Sequence, residues 1–180
     1  HSLLRVDIDV LRNSGRSLMP EGFERDLAPR DVEHLIAYFR SLRAAPKQLP
    51  GNTPELVRGA ENSPVRLAAS RAEIYGEQIT FEPPFGNIGF WHAETDHVRW
   101  QLELPAAAEF DVWLDWSCAG GSEGNAFGLQ IGSTELKGIV RATGGWDQYR
   151  QMQTGRVAVP AGRTEVLLRP TAPVRGALFD

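Results

Sequence analysis

A single cysteine, Cys118, stands in the 180-residue chain, so no disulfide can form within it. It lies in "DWSCAGG" with no base motif beside it and reads as a small core residue rather than a nucleophile. Long apolar runs are also missing: none approaches the roughly 20 residues that a membrane-spanning helix needs, so no membrane insertion is expected. Neither sign of charge clusters. Lys and Arg number 19 against 23 Asp and Glu, a formal net charge of −4, and no basic run exists to follow a phosphate backbone. Nucleic acid is therefore not an expected partner. No nucleophile elbow, phosphate-binding loop or dinucleotide motif occurs. Asp111 and Asp115 sit four residues apart on one strand, too far to act as a glycosidase pair without a cleft. In "HAETDH", a strand would put His92, Glu94 and Asp96 on one face, but no distant fourth ligand accompanies them. The chain reads as carrying no catalytic site.

What is present falls into two grammars. "APRDVEHLIAYFRSLR" spaces Val32, Leu35, Ile36, Phe39 and Leu42 at helical intervals, with Pro29 suited to the first helical position and Asp31 in the first turn. "AAPKQLPGNTP" follows, with three prolines and one glycine in eleven residues and no periodicity, the composition of a semi-extended linker over 44–54. Beyond residue 55 the period becomes two. "VRWQLEL" alternates Val98, Trp100, Leu102 and Leu104 against polar residues, and "FDVWLDW" puts Phe110, Val112, Leu114 and Trp116 on one face and Trp113 on the other. "FGLQI" continues the pattern, and "GRVAVPAGRTEVLLR" reads as two strands about a Pro-Ala-Gly turn. Short strands with Gly-rich turns and no helices between them imply a mainly β protein, an antiparallel β-sandwich behind a short N-terminal helical segment. Trp100 and Trp116 belong to its core.

The stretch "SLMPEGFERDLAPRDVEHLIAYFRSL", residues 17–42, resembles the end of a c-type cytochrome domain of the kind found in large planctomycete and verrucomicrobial dehydrogenase-like proteins. In that family the loop methionine is the sixth ligand of haem iron, which makes Met19 an axial-ligand candidate. Covalent attachment needs C-x-x-C-H, which is not in this sequence. The resemblance thus implies haem c for a longer parent protein and no haem on residues 1–43 by themselves.

Residues 65–180 resemble the galactose-binding-like, jelly-roll carbohydrate-binding modules of families 6 and 35. The resemblance is carried by "VRLAASRAEIYG", "NIGFWHAETDHVRWQLELP", "AEFDVWLDWSC", "TGGWDQYR", "GRVAVPAGRTEVLLR" and "GALFD". It implies a sugar site in which an indole stacks on the apolar face of a sugar ring while amides and carboxylates bind its hydroxyls. Trp146 in "TGGWD" is the first platform. Its partner is an aromatic of "GFW", Phe90 or Trp91, with Trp91 preferred, and Asp147, Tyr149 and Asn87 are the polar neighbours. Two departures stand out. Leu178 occupies the place of an asparagine that bonds sugar, and "AASRAE" puts Ser70 and Arg71 where a calcium-binding carboxylate belongs, leaving Glu73 and Asp180 for a structural calcium.

Together the two resemblances imply a non-catalytic carbohydrate-binding module over 55–180, joined through 44–54 to a cytochrome fragment over 1–43. Its partners would be an oligosaccharide or polysaccharide and the remainder of a parent oxidoreductase, in the periplasm or outside the cell. A protein-docking sandwich that binds no sugar, and an electron-transfer fragment, are the alternatives.

Overall fold

A computed structural model describes residues 28–41, 45–61 and 63–180. The chain divides between Ala44 and Ala45 into two units. In the first, helix α1 runs over Pro29–Ser41. Ala28 caps it without a side-chain acceptor, and Asp31 compensates: its carboxylate accepts the Ala28 N–H at 2.9 Å while the Asp31 N–H bonds the Ala28 carbonyl at 2.8 Å. This is half of a capping box, with Pro29 at the first helical position.

The second unit is built from ten strands: β1 (Val57–Arg58), β2 (Glu73–Tyr75), β3 (Thr80–Glu82), β4 (Asn87–Gly89), β5 (His97–Leu104), β6 (Ala108–Trp116), β7 (Ala126–Ile131), β8 (Thr134–Ile139), β9 (Arg150–Val159) and β10 (Gly162–Pro170). One sheet has the order β1-β5-β10-β7-β8, with β2 also pairing β5. Strands β6 and β9 form an antiparallel pair, and β3 and β4 a short hairpin. Only the β1–β5 pairing is parallel among those described.

The alternation read from the sequence sets the faces. Val98, Trp100, Leu102 and Leu104 of β5 all point inward, and join Val166 and Leu168 of β10 and Phe127, Leu129 and Ile131 of β7. Phe110, Val112, Leu114 and Trp116 of β6 close the core from the other sheet, leaving Trp113 exposed. Trp100 and Trp116 are buried, as expected. The two strands about Pro160–Gly162 belong to different sheets: β9 pairs with β6, whereas β10 pairs with β5 and β7. Toward one end of the core, Trp91, Trp116, Phe127 and Phe179 form a lattice of aromatic contacts with centroids 5.5 to 5.9 Å apart.

The stretch expected to be a linker is, from residue 45 onward, bonded to this sandwich. Lys47 donates its N–H to the Ile74 carbonyl at 2.8 Å and its ammonium to the carbonyls of Glu77 and Ile79. The Asn52 amide donates to the carbonyls of Ala69, Ser70 and Ala72 at 3.0 to 3.4 Å, and the Thr53 N–H to Ser70 at 2.7 Å. Prolines here remove donors that an extended strap does not need, while one lysine and one asparagine supply the attachments.

Candidate functional site

Three loops and the last residues of the chain meet around a cleft of about 460 Å³, lined by Glu82, Phe85, Asn87, Phe90, His92, Trp146, Asp147, Tyr149, Ala177 and Asp180. Each wall has a local cause. The β3–β4 turn is closed by the N–H groups of Phe85 and Gly86, both bonding the Glu82 carbonyl, with Gly86 at a φ of 70°. Phe85 projects from its tip, 71% exposed. Immediately after β4, Phe90 adopts a φ of 62°, the one left-handed non-glycine residue among those described. That reversal turns the Phe90 ring outward, half exposed, and sends Trp91 into the core.

Trp91 is therefore not a sugar platform. It is 1% exposed, its indole N–H donates to the Ile88 carbonyl at 2.7 Å, and its own carbonyl accepts the Leu178 N–H. The positive φ shifts the pattern of "GFW" so that Phe90, not Trp91, takes the outward place. Leu178 is wholly buried and offers the cleft no side-chain hydrogen bond.

The opposite wall is the loop between β8 and β9. Thr143 is buried and bonds both ways across to Cys118: its N–H donates to the Cys118 carbonyl, and its hydroxyl accepts the Cys118 N–H at 2.9 Å. Next to it the Ser117 hydroxyl donates to the Trp146 carbonyl at 2.7 Å. Gly144, at a φ of 116°, lets the chain fold back on Gln148, whose side chain fills the place of a Cβ. Trp146 and Tyr149 are thereby held at the rim, each 39% exposed. The same Ser117 exchanges backbone hydrogen bonds with Asp180 at 2.9 and 3.0 Å, so one dipeptide, Ser117–Cys118, fixes both the tryptophan loop and the chain's final residue. Cys118 itself is fully buried, and burial raises its thiol's pKa above the ordinary value, with help from the charges of Glu123 and Asp180. That suits a core residue.

The floor of the cleft is acidic. A Cβ at Gly89 would fall on Glu82 Oε2 and lie 2.8 Å from Asp180 Oδ1, so glycine there leaves both carboxylates room at the floor without displacement. Burial, followed by the charge of Glu82, pushes the Asp180 pKa up to about 6, against the lowering effect of a hydrogen bond from the Phe90 N–H and the charge of His92. Burial also raises Tyr149. Asn87, 8% exposed, donates Nδ2 to Glu82 Oε2 at 3.0 Å and leaves Oδ1 with no hydrogen-bond partner. His92 donates Nδ1–H to the Gly176 carbonyl at 2.6 Å and meets the Phe90 ring edge-on at 6.1 Å.

Trp146, Asp147, Tyr149 and Asn87 are thus gathered at one cleft, and Asp180 joins them. Phe90, the other aromatic of "GFW", lines the cleft in place of Trp91, and Glu82, Phe85 and His92 line it without having been singled out for it in the sequence. Two three-residue strands beside "PPFG" carry too little alternation to reveal the hairpin that positions Glu82 and Phe85.

The calcium expectation fares differently. Glu73 accepts the Tyr75 hydroxyl at 2.7 Å on β2, while the neighbours of Asp180 are Glu82, His92 and Phe90, so the structure does not assemble the expected pair. Arg71, in the place of the missing carboxylate, pairs with Glu55 at 2.8 Å. These residues do not fit a structural calcium. The "HAETDH" stretch also disperses: Asp96 is fully buried and accepts the N–H groups of His92 and Ala93 at 2.8 and 2.9 Å, whereas Glu94 is exposed. It is a capped turn rather than a strand face. Met19 lies outside the described residues.

No family model and no curated protein matches the chain. Among solved structures, a family 35 carbohydrate binding module from Clostridium thermocellum superposes with a TM-score of 0.55 at 13% identity, covering 66% of this chain and 94% of that one. Another structure of a family 35 module from that organism aligns at 0.49, with 13% identity over 63% and 93% of the two chains. The family 35 module from Cellvibrio japonicus Abf62 aligns at 0.42, with 13% identity over 74% and 80%. The first superposition shows the architecture alone: the second unit shares the β-sandwich fold of that module.

Proposed function

We propose that residues 45–180 are a non-catalytic carbohydrate-binding module whose site is the cleft between Phe90 and Trp146. The observation that carries this reading is the company the aromatics keep. Phe85, Phe90, Trp146 and Tyr149 are exposed around one concave space whose floor is carboxylate and amide. Sugar rings need both, a flat apolar surface for their C–H faces and fixed acceptors for their hydroxyls. A protein-docking surface would use the aromatics but would not require an acidic floor with an unpaired amide oxygen beneath them.

The module belongs to a larger exported, haem-dependent oxidoreductase, and holds it near a glycan in the periplasm or outside the cell. The support for that part is the resemblance of residues 17–42, with Met19 as an axial ligand once an upstream C-x-x-C-H half is present. The haem would supply electron transfer, and nothing in residues 45–180 takes part in it.

A glycan array with the wild type and Trp146→Ala side by side tests the reading. Binding to a defined glycan class is expected, weakened about tenfold or more in the variant, the ordinary cost of truncating a buried-edge aromatic anchor. A wild type that binds no plant, algal or bacterial glycan would mean a docking domain instead. A haem absorbance band from a longer chain that carries the attachment motif is the second arm, and its absence would remove the oxidoreductase.

A further inference from the structure

The cleft's charge is one-sided although the chain's is nearly balanced. Glu82, Asp147 and Asp180 line it, His92 is the one lining group able to carry positive charge, and no lysine or arginine is among the lining residues. The buried floor is short of donors as well. One Asn87 Nδ2 hydrogen goes to Glu82, His92 Nδ1–H goes to Gly176, and Asn87 Oδ1 remains a buried acceptor without a donor. The Trp146 indole N–H and the Tyr149 hydroxyl belong to side chains at the exposed rim, so the floor itself is rich in acceptors and has no fixed positive charge. An ammonium group supplies three donors and no acceptor, and its charge is attracted by the three carboxylates and by the faces of Trp146, Phe90 and Tyr149.

We propose, on the basis of the sugar-binding reading, that the cleft selects glycans bearing free amino groups, in which a hexosamine unit lays its ring against the aromatics and turns its ammonium toward Glu82 and Asp180. An N-acetylated unit has lost that charge, and a uronate would bring a fourth carboxylate to the floor, which like-charge repulsion rejects. A metal ion is the rival occupant of an acidic floor. Against it, no group of three Asp, Glu, His or Cys side chains is placed to ligate one among the described residues. A bare ion would also leave four exposed aromatic rings without a function.

Isothermal titration of the whole chain with a glucosamine hexamer, an N-acetylglucosamine hexamer and an oligogalacturonate, each with calcium and with a chelator, tests the proposal. The glucosamine hexamer is expected to bind about tenfold tighter than its acetylated counterpart at low salt, the sum of several partly screened charge and cation–π contacts. The difference should narrow as salt is raised. Glu82→Gln should abolish the preference, and Asp147→Asn, on an exposed loop where folding is not at stake, should reduce it. Equal binding of the two hexamers, calcium-dependent binding of the oligogalacturonate, or a preference unchanged in both variants would overturn the proposal. A neutral sugar bound without regard to charge would overturn it and leave the sugar-binding reading standing, whereas no sugar bound by any arm would remove both.

Discussion

Phe90 concentrates the tension between fold and site in one residue. A non-glycine side chain at a φ of 62° costs about 1 kcal/mol or somewhat more, and the cost is tolerated because the turn puts the ring at the cleft and Trp91 in the core. Phe90→Gly should therefore separate the two roles. Thermal unfolding is expected to stay level or rise slightly, since glycine relaxes the backbone, while affinity for the bound glycan falls by about tenfold with loss of the aromatic face. A variant that loses stability and binding in parallel would make Phe90 a structural residue. The same dipeptide shows why the site was only partly legible. "GFW" announces an aromatic near a loop, but which ring faces out depends on a backbone dihedral that nothing in the residue types encodes. Trp146 was legible because glycines on its N-terminal side and a tryptophan–aspartate pair mark a loop wherever it falls.

At the scale of elements, strands with sustained alternation were readable and short or charged ones were not. β5 and β6 follow their two-residue period over eight and nine residues. β8, "TELKGI", lies at the edge of its sheet and turns Leu136 and Gly138 inward, so a single large apolar side chain is all that marks its inner face and it passes for a loop. The strap over 45–54 misleads in the opposite way: its composition is that of a linker, yet Lys47 and Asn52 fasten it to five carbonyls. A chain beginning at Ala45 should then unfold at a clearly higher temperature than one beginning at Glu55, several degrees for each net kcal/mol that the attachments contribute in a domain of this size. Equal melting temperatures would return the strap to the status of a linker.

For the whole molecule, the acidic floor links stability to pH. Asp180 titrates near 6 when folded against 3.8 for the ordinary side chain, so the folded state holds the extra proton between those values. Its contribution is complete below pH 4 and is lost as pH rises through about 6, the reverse of what a salt-bridged carboxylate does. Thermal melts from pH 4 to pH 7 should show this decline superimposed on the other groups' titrations, and Asp180→Asn should flatten it and raise stability at neutral pH. A profile unchanged by the substitution would mean that the carboxyl is solvated like any other.

The backbone exchange between Ser117 and Asp180 has a consequence in time. Those residues stand at opposite ends of the strand sequence β7 to β10, and the loop that presents Trp146 hangs from the same hub. The contacts that hold the tryptophan loop and Asp180 are thus long-range closures, made only after the intervening strands have found their sheets. During synthesis the β3–β4 wall of the cleft can form early, while the wall that carries Trp146 waits for Asp180 to arrive. A chain interrupted before Ala177 would lose Leu178 and Phe179 from its core together with the Asp180 that closes the cleft.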